Sequence, residues 1–173
     1  MKSPKKLSHV ILRTGQLDTM RDWYADVLNA RVVFQNPRVA FLAYDEEHHR
    51  IGFLSIDDAV ARDAKAAGLE HMAFGYNDLG DLLAAYEALA DRAISPSSAI
   101  NHGSTTSLYY KDPDGNEVEL MIENFSSHDE ANAFVASDAF RKTPHGRAFD
   151  PRAYLQRLRQ GESQAMIVTW PSE

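Results

Sequence analysis

Apolar positions along this chain fall into two patterns that alternate and then recur. Residues 7–13 (LSHVILR) are rich in β-formers, and Leu17, Met20, Trp23, Tyr24, Val27 and Leu28 then repeat at the three-to-four spacing of one helical face, with Asp18 close to its start. Three short β-like runs follow, 31–35, 38–44 and 48–55, separated by Asn36-Pro37 and by the polar run Asp45-Glu46-Glu47. The pattern predicts βαβββ. An Ala-rich stretch over 57–67 predicts a helical connector stopped at Gly68. The same order then returns: a strand over 69–76, a helix over 78–92 with period Leu79, Leu82, Leu83, Tyr86 and Leu89, a short strand near Ile94, a loop through 95–103, and strands over 104–111 and 116–123.

Laid over each other at an offset of 62 (71 − 9), the segments SHVILRTGQLDTMRDWYADVL and EHMAFGYNDLGDLLAAYEALA match His9 to His71, Leu17 to Leu79, Met20 to Leu82 and Tyr24 to Tyr86. The chain therefore reads as an α+β fold of two tandem βαβββ modules, 5–56 and 68–125, forming one domain over 1–125. A C-terminal helical extension over 126–173 has no counterpart in the first copy, and predicts helices over 128–137 and 151–160. Its apolar side chains, Phe134, Phe140, Phe149, Tyr154, Leu155 and Leu158, are too many for a solvated appendage and predict packing over the modules or at an interface between copies.

Asp112-Pro113-Asp114-Gly115 fits a three-residue hairpin loop with Gly115 in the left-handed position, which pairs Asp112 with Asn116. Counting outward, Tyr109 falls opposite Glu119 and shares its face. Leu108, Tyr110, Val118, Leu120 and Ile122 then point the other way, toward the helices. The face carrying Tyr109 and Glu119 is left for a pocket.

A length of 173 residues at 44% hydrophobic content suits one globular domain, or two small modules sharing a core. The absence of cysteine excludes disulfides, thiolate metal sites, iron–sulfur clusters and cysteine nucleophiles, so any metal must be held by N and O ligands. A net charge of −7 argues against nucleic-acid or anionic-membrane partners, whose binding needs a basic face. Lys2, Lys5 and Lys6 read as a solvated N-terminal cluster. MKSPKKL leads into a polar-punctuated strand instead of a signal-peptide core, and no apolar run approaches the roughly 20 residues of a membrane span, so a soluble cytoplasmic protein is expected.

A lone strand histidine is more often a hydrogen-bonded core residue than a ligand, but His9 and His71 occupy repeat-equivalent positions, and duplication brings such positions together. With Glu119 they supply two imidazoles and one carboxylate, the facial set of oxygen-activating Fe(II) sites. In the doublet His48-His49, period two aligns His49 with Ile51 and Phe53 and turns His48 away, making His49 the acid–base candidate; two solvated histidines at a strand start is the bland alternative. His102, in the glycine-flanked INHG loop, suits either a site or an exposed position. Tyr109 suits either pocket or core, and His128 and His145 read as surface residues.

HHRIGFL, LEHMAFGY and NHGSTTSLYYKDPDGNEVEL, with the paired βαβββ pattern, resemble the vicinal-oxygen-chelate superfamily, and most of all its one-domain type I extradiol ring-cleavage dioxygenases. The resemblance covers about residues 5–125 and implies a half-open barrel around a metal site, the glyoxalase/bleomycin-resistance/dioxygenase fold. It implies that His9, His71 and Glu119 bind Fe(II), Mn(II) or another divalent metal, that His49 handles protons, and that His102 and Tyr109 hydrogen-bond the substrate oxygens. A catechol-type diol and dioxygen would be the substrates, and a homodimer or higher homo-oligomer the assembly. Two departures stand out: a metal-free N-terminal half found in two-domain relatives is absent, and the interval from His102 to Tyr109 is shorter than in some of them. Two other functions share this fold. A glyoxalase-I-like lyase or isomerase needs a further ligand from the first copy, where the late strand RIGFL offers only apolar side chains and glycine. A non-catalytic drug-binding resistance protein has no use for a metal triad.

Overall fold

The computed structural model describes residues 1–63 and 65–170. They form two compact units, Met1–Gly68 with the hairpin tip Asp112–Asn116, and Leu69–Lys111 with Glu117 onward. Fifteen elements lie among the described residues, and both units carry the expected repeat.

In the first unit β1 (Val10–Thr14) leads into α1 (Leu17–Val27), followed by β2 (Arg31–Gln35), β3 (Val39–Ala43) and β4 (Ile51–Ser55). The sheet order is β1-β4-β3-β2, with β1 and β4 parallel and the others antiparallel. Met20, Tyr24 and Val27 on α1 meet Leu42, Ile51 and Phe53 on the sheet, and all six are buried. Each such side chain contributes roughly 1.5–3 kcal/mol of transfer free energy, so this one face of α1 suffices to hold helix to sheet. Tyr24 also donates its hydroxyl to Asp112 Oδ2 at 3.0 Å, tying the hairpin tip into this core.

The second unit repeats the design with β5 (His71–Gly75), α2 (Leu79–Ala90), β6 (Ser98–Asn101), β7 (Thr105–Lys111) and β8 (Glu117–Glu123). Its order, β5-β8-β7-β6, is that of the first sheet, again with the first and last strands parallel. Leu108, Tyr110, Val118, Leu120 and Ile122 are fully buried with Leu79, Leu82 and Leu83 of α2, as the hairpin register requires. Asp112 N donates to Asn116 O at 2.9 Å, and Gly115 sits at φ +83°, the left-handed position the loop demands.

The extension is built into this second unit. It adds α3 (His128–Val135), α4 (Asp138–Lys142), β9 (Arg147–Ala148), α5 (Pro151–Arg159) and α6 (Gln164–Ile167). β9 pairs with β6 as a fifth strand. Gln164 Oε1 accepts from Leu79 N at 2.7 Å, satisfying an orphan donor at the start of α2, and Arg159 pairs with Glu87 on the same helix. Among the described residues no helix is long and apolar enough to cross a membrane.

Three expectations are corrected. None of the described residues of the 57–67 connector is helical; Ala64 lies outside them. Asp58 takes φ +56°, Asp63 Oδ1 captures Lys65 N, and Val60 is exposed, so local side-chain bonds compete with the helix and no apolar stripe holds one in place. The short strand placed near Ile94 is instead β6 at 98–101, inside the predicted loop, because pairing with both β7 and β9 outweighs the local Ser-Pro-Ser-Ser composition. His9 lies one residue before β1 and His48-His49 two to three before β4, so none of the three is in a strand.

Candidate functional site

In the second unit the β7/β8 ladder sets Tyr109 directly opposite Glu119, and the parallel β5/β8 ladder sets Ala73 beside Glu119 with His71 two residues earlier on the same face. A continuous polar chain results. His71 Nε2 lies 3.0 Å from Glu119 Oε2, Tyr109 donates its hydroxyl to Glu119 Oε1 at 3.1 Å, and His102 Nε2 meets that hydroxyl at 2.9 Å. With the phenolic proton committed to the carboxylate, His102 Nε2 must be the donor to Tyr109 oxygen. Glu119 is 6% exposed and Tyr109 8%, whereas His71 is open to solvent, so the chain runs from a buried carboxylate outward to an accessible imidazole. Burial and the Glu119 charge both push the Tyr109 hydroxyl well above its usual pKa, keeping it a donor. Burial lowers His102, with His71 and His145 acting the same way against an opposing pull from Glu119, so its imidazole is neutral.

In the first unit three imidazoles gather. The His49 ring stands 4.3 Å from His9 and 4.4 Å from His48, and stacks on Phe41 at 4.6 Å with an 18° tilt. The parity argument for the doublet fails here: both histidines lie in the bend before β4, where period two does not apply, and His49 joins Phe41 instead of the buried Ile51 and Phe53. His48 does not turn away either, since its Nδ1 shares a hydrogen bond with His49 Nδ1. Desolvation first, then His9 and His48, lower the His49 pKa, leaving a neutral base. Two residues were missed from sequence. Phe41 carries the His49 ring, and Gly52, whose side-chain position would collide with Ile11 Cδ1 and come within 2.9 Å of Phe41 Cδ1, lets those two apolar groups close over the strand. A glycine inside an otherwise apolar strand was the available signal.

The six candidates thus divide, with His9 and His49 in one unit and His71, His102, Tyr109 and Glu119 in the other. Within neither unit do the described residues assemble three His, Asp or Glu side chains into a set fit for an ion. The second unit does preform a pair. An imidazole and a buried carboxylate with converging tips are the N and O donors that divalent transition metals take.

Twin βαβββ units with a histidine at each first strand define the class, and residues 6–120 match the Glyoxalase/Bleomycin resistance protein/Dioxygenase superfamily; the chain belongs to that family. It is 45% identical over 170 residues to biphenyl-2,3-diol 1,2-dioxygenase 2 of Rhodococcus globerulus, covering 98% of this chain and 90% of that protein. Biphenyl-2,3-diol 1,2-dioxygenase 3 of the same organism is 40% identical over 166 residues, covering 95% and 87%. Among solved structures, a lactoylglutathione lyase from Agrobacterium tumefaciens superposes with TM-score 0.56 at 21% identity, over 70% of this chain and 96% of that one, a likeness of fold.

Proposed function

We propose that this protein is an extradiol ring-cleavage dioxygenase acting on a catechol-type aromatic diol, with His9, His71 and Glu119 as the ligands of Fe(II) and Mn(II) as a substitute. The observation that carries the reading is the His102–Tyr109–Glu119–His71 chain, which couples a preformed ligand pair to two substrate-facing hydrogen-bonding groups, in a chain 45% identical to a diol dioxygenase. His9 completes the set through its repeat equivalence to His71.

Bound at a 2-His-1-carboxylate set, Fe(II) supplies open positions at which diol and dioxygen meet and exchange electrons. The protein's own groups handle protons and orientation. His49, neutral and seated on Phe41, accepts a proton from the diol and returns it as the O–O bond breaks. Tyr109 and His102, bonded to Glu119 and to each other in the free protein, would exchange those bonds for hydrogen bonds to the substrate oxygen. In the net reaction one ring C–C bond next to the diol breaks and both atoms of dioxygen enter the product.

A glyoxalase-type lyase is the second reading, and coverage weighs against it. The lyase superposition spans 70% of this chain, whereas the 98% match to the dioxygenase takes in the extension that completes the second unit's sheet. The deciding experiment is anaerobic Fe(II) reconstitution followed by a panel of monocyclic and bicyclic catechols. A yellow ring-opened product with one dioxygen consumed per diol is expected. Absence of oxygen uptake with every diol, together with turnover of a hemithioacetal, would replace this reading by the second.

A further inference from the structure

The His102 loop is held by a buried polar hub that reaches the last described turn of the chain. Asn101, 5% exposed, donates from Nδ2 to Val168 O at 2.9 Å, while its Oδ1 accepts from Gly103 N at 2.7 Å and Asn124 Nδ2 at 3.1 Å. Only one orientation of the amide satisfies all three partners, because the carbonyl of Val168 needs a donor and the two N–H groups need an acceptor. Asn124 closes the loop from below: Nδ2 also donates to Gly103 O at 3.1 Å, and Oδ1 accepts from Thr106 Oγ1 at 2.7 Å. The backbone of residues 101–103 is thus pinned on both sides.

Aromatic packing bears on the same turn. Gly103, at φ +83°, has no room for a side chain, since a Cβ there would collide with the Phe134 ring and stand 3.0 Å from Trp170 Cε3. Phe134 meets Trp170 edge-on at 5.6 Å, and the Arg147 guanidinium lies over the Trp170 ring at 4.8 Å. Gly146, also at positive φ, lets the backbone before β9 pass close to Nδ1 of His102, where a Cβ would come within 2.9 Å. The extension therefore meets this turn at two points, Gly146 beside His102 and Trp170 beside Gly103.

We infer that Asn101 is a positioning residue through which docking of the C-terminal segment, at Val168 and Trp170, sets the His102 imidazole against Tyr109. The inference rests on the proposed role of His102 and Tyr109. Rotation of the 101–103 turn breaks the 2.9 Å contact to Tyr109 without touching His71 or Glu119. Displacements of an ångström at a positioned group are worth up to about 10²-fold in rate.

The test uses Asn101→Asp, which is isosteric and places an acceptor against the Val168 carbonyl, and Trp170→Ala, which loosens the segment's far end and leaves the hub's side chains intact. Histidine ring-labelled protein is followed by carbon–proton correlation spectra, with the His102 signal assigned by His102→Gln. Trp170 emission is read in a Trp23→Phe background. Both variants are expected to move the His102 ring signal, and Asn101→Asp to redden Trp170 emission. Both should also retain iron and lower kcat for the diol about tenfold with KM little changed. An unmoved His102 signal in Trp170→Ala overturns the inference, as does an Asn101→Asp protein with altered kcat and unaltered Trp170 emission. Both spectral readings are made on the chain itself, so a parent inactive toward every diol would overturn the dioxygenase reading and leave this one to be decided by the spectra. If Asn101→Asp fails to fold, Trp170→Ala alone decides.

Discussion

Tyr109 stands directly across the β7/β8 ladder from Glu119 and donates its hydroxyl to Oε1 at 3.1 Å. The carboxylate is buried, so this bond offsets part of its desolvation, and the same phenol accepts from His102. Tyr109→Phe removes both bonds at once and leaves the ring's packing. Ring cleavage should fall on the order of 10²-fold, the usual effect of losing one preorganised donor, with iron content and fold retained. Steady-state oxygen uptake across several catechols checks this, and unchanged kinetics would return Tyr109 to a packing role.

Iron binding should fail when any one of the three proposed ligands is lost. His71→Ala leaves Glu119 Oε2 without its partner at 3.0 Å, and Glu119→Ala leaves His71 facing Tyr109 alone. His9→Ala tests the member that comes from the other repeat. Each should reduce bound iron, measured by metal analysis after anaerobic reconstitution, to a small fraction of the parent. Stoichiometric iron in His71→Ala would sink the assignment.

The histidine doublet should separate by role. His49→Gln removes the neutral base seated on Phe41 and is expected to cost roughly 10²-fold or more in turnover while iron stays bound. His48→Gln keeps a hydrogen-bonding group beside His49 Nδ1 and should cost only severalfold. A larger loss in His48→Gln than in His49→Gln, read from kcat under saturating oxygen, would reverse the two roles.

How much of this was legible in the residues depends on whether the signal was local. Helix α1, strand β2 and the β7/β8 hairpin follow from apolar periodicity and one loop, and the Asp112-Asn116 register by itself sets Tyr109 opposite Glu119. The family resemblance named six candidates, of which His71, Glu119, Tyr109 and His102 stand in one hydrogen-bonded chain. Strand ends were less legible: His9, His48 and His49 lie just outside β1 and β4, where alternation stops and the bend at Asp45–Arg50 decides direction. β6 was hidden because its own Ser-Pro-Ser-Ser composition reads as a loop and one of its two partners, β9, is distant in sequence. The Asn101 hub was invisible for the same reason, its partner Val168 lying 67 residues away.

Asp112 is 5% exposed, yet its carboxylate takes bonds from Tyr24 OH, from Asn116 Nδ2, and from the backbone N–H groups of Asp114 and Asn116. Asp112→Ala orphans these donors, of which the Tyr24 hydroxyl is the most deeply buried. The loss should be on the order of 3 kcal/mol, seen as a lower midpoint in urea at unchanged slope. The pH dependence has a definite sign. Burial, acting against the hydrogen bonds, raises the Asp112 pKa above the ordinary aspartate value of 3.8. A raised folded-state pKa means that the folded chain holds its proton more tightly than the unfolded one. That contribution is fully present below 3.8 and is lost as pH rises through the folded value. The stability difference between parent and Asp112→Ala should therefore shrink with rising pH across that window and level off above it. A difference that grows with pH instead would mean that the hydrogen bonds outweigh burial and hold the carboxyl below its ordinary range.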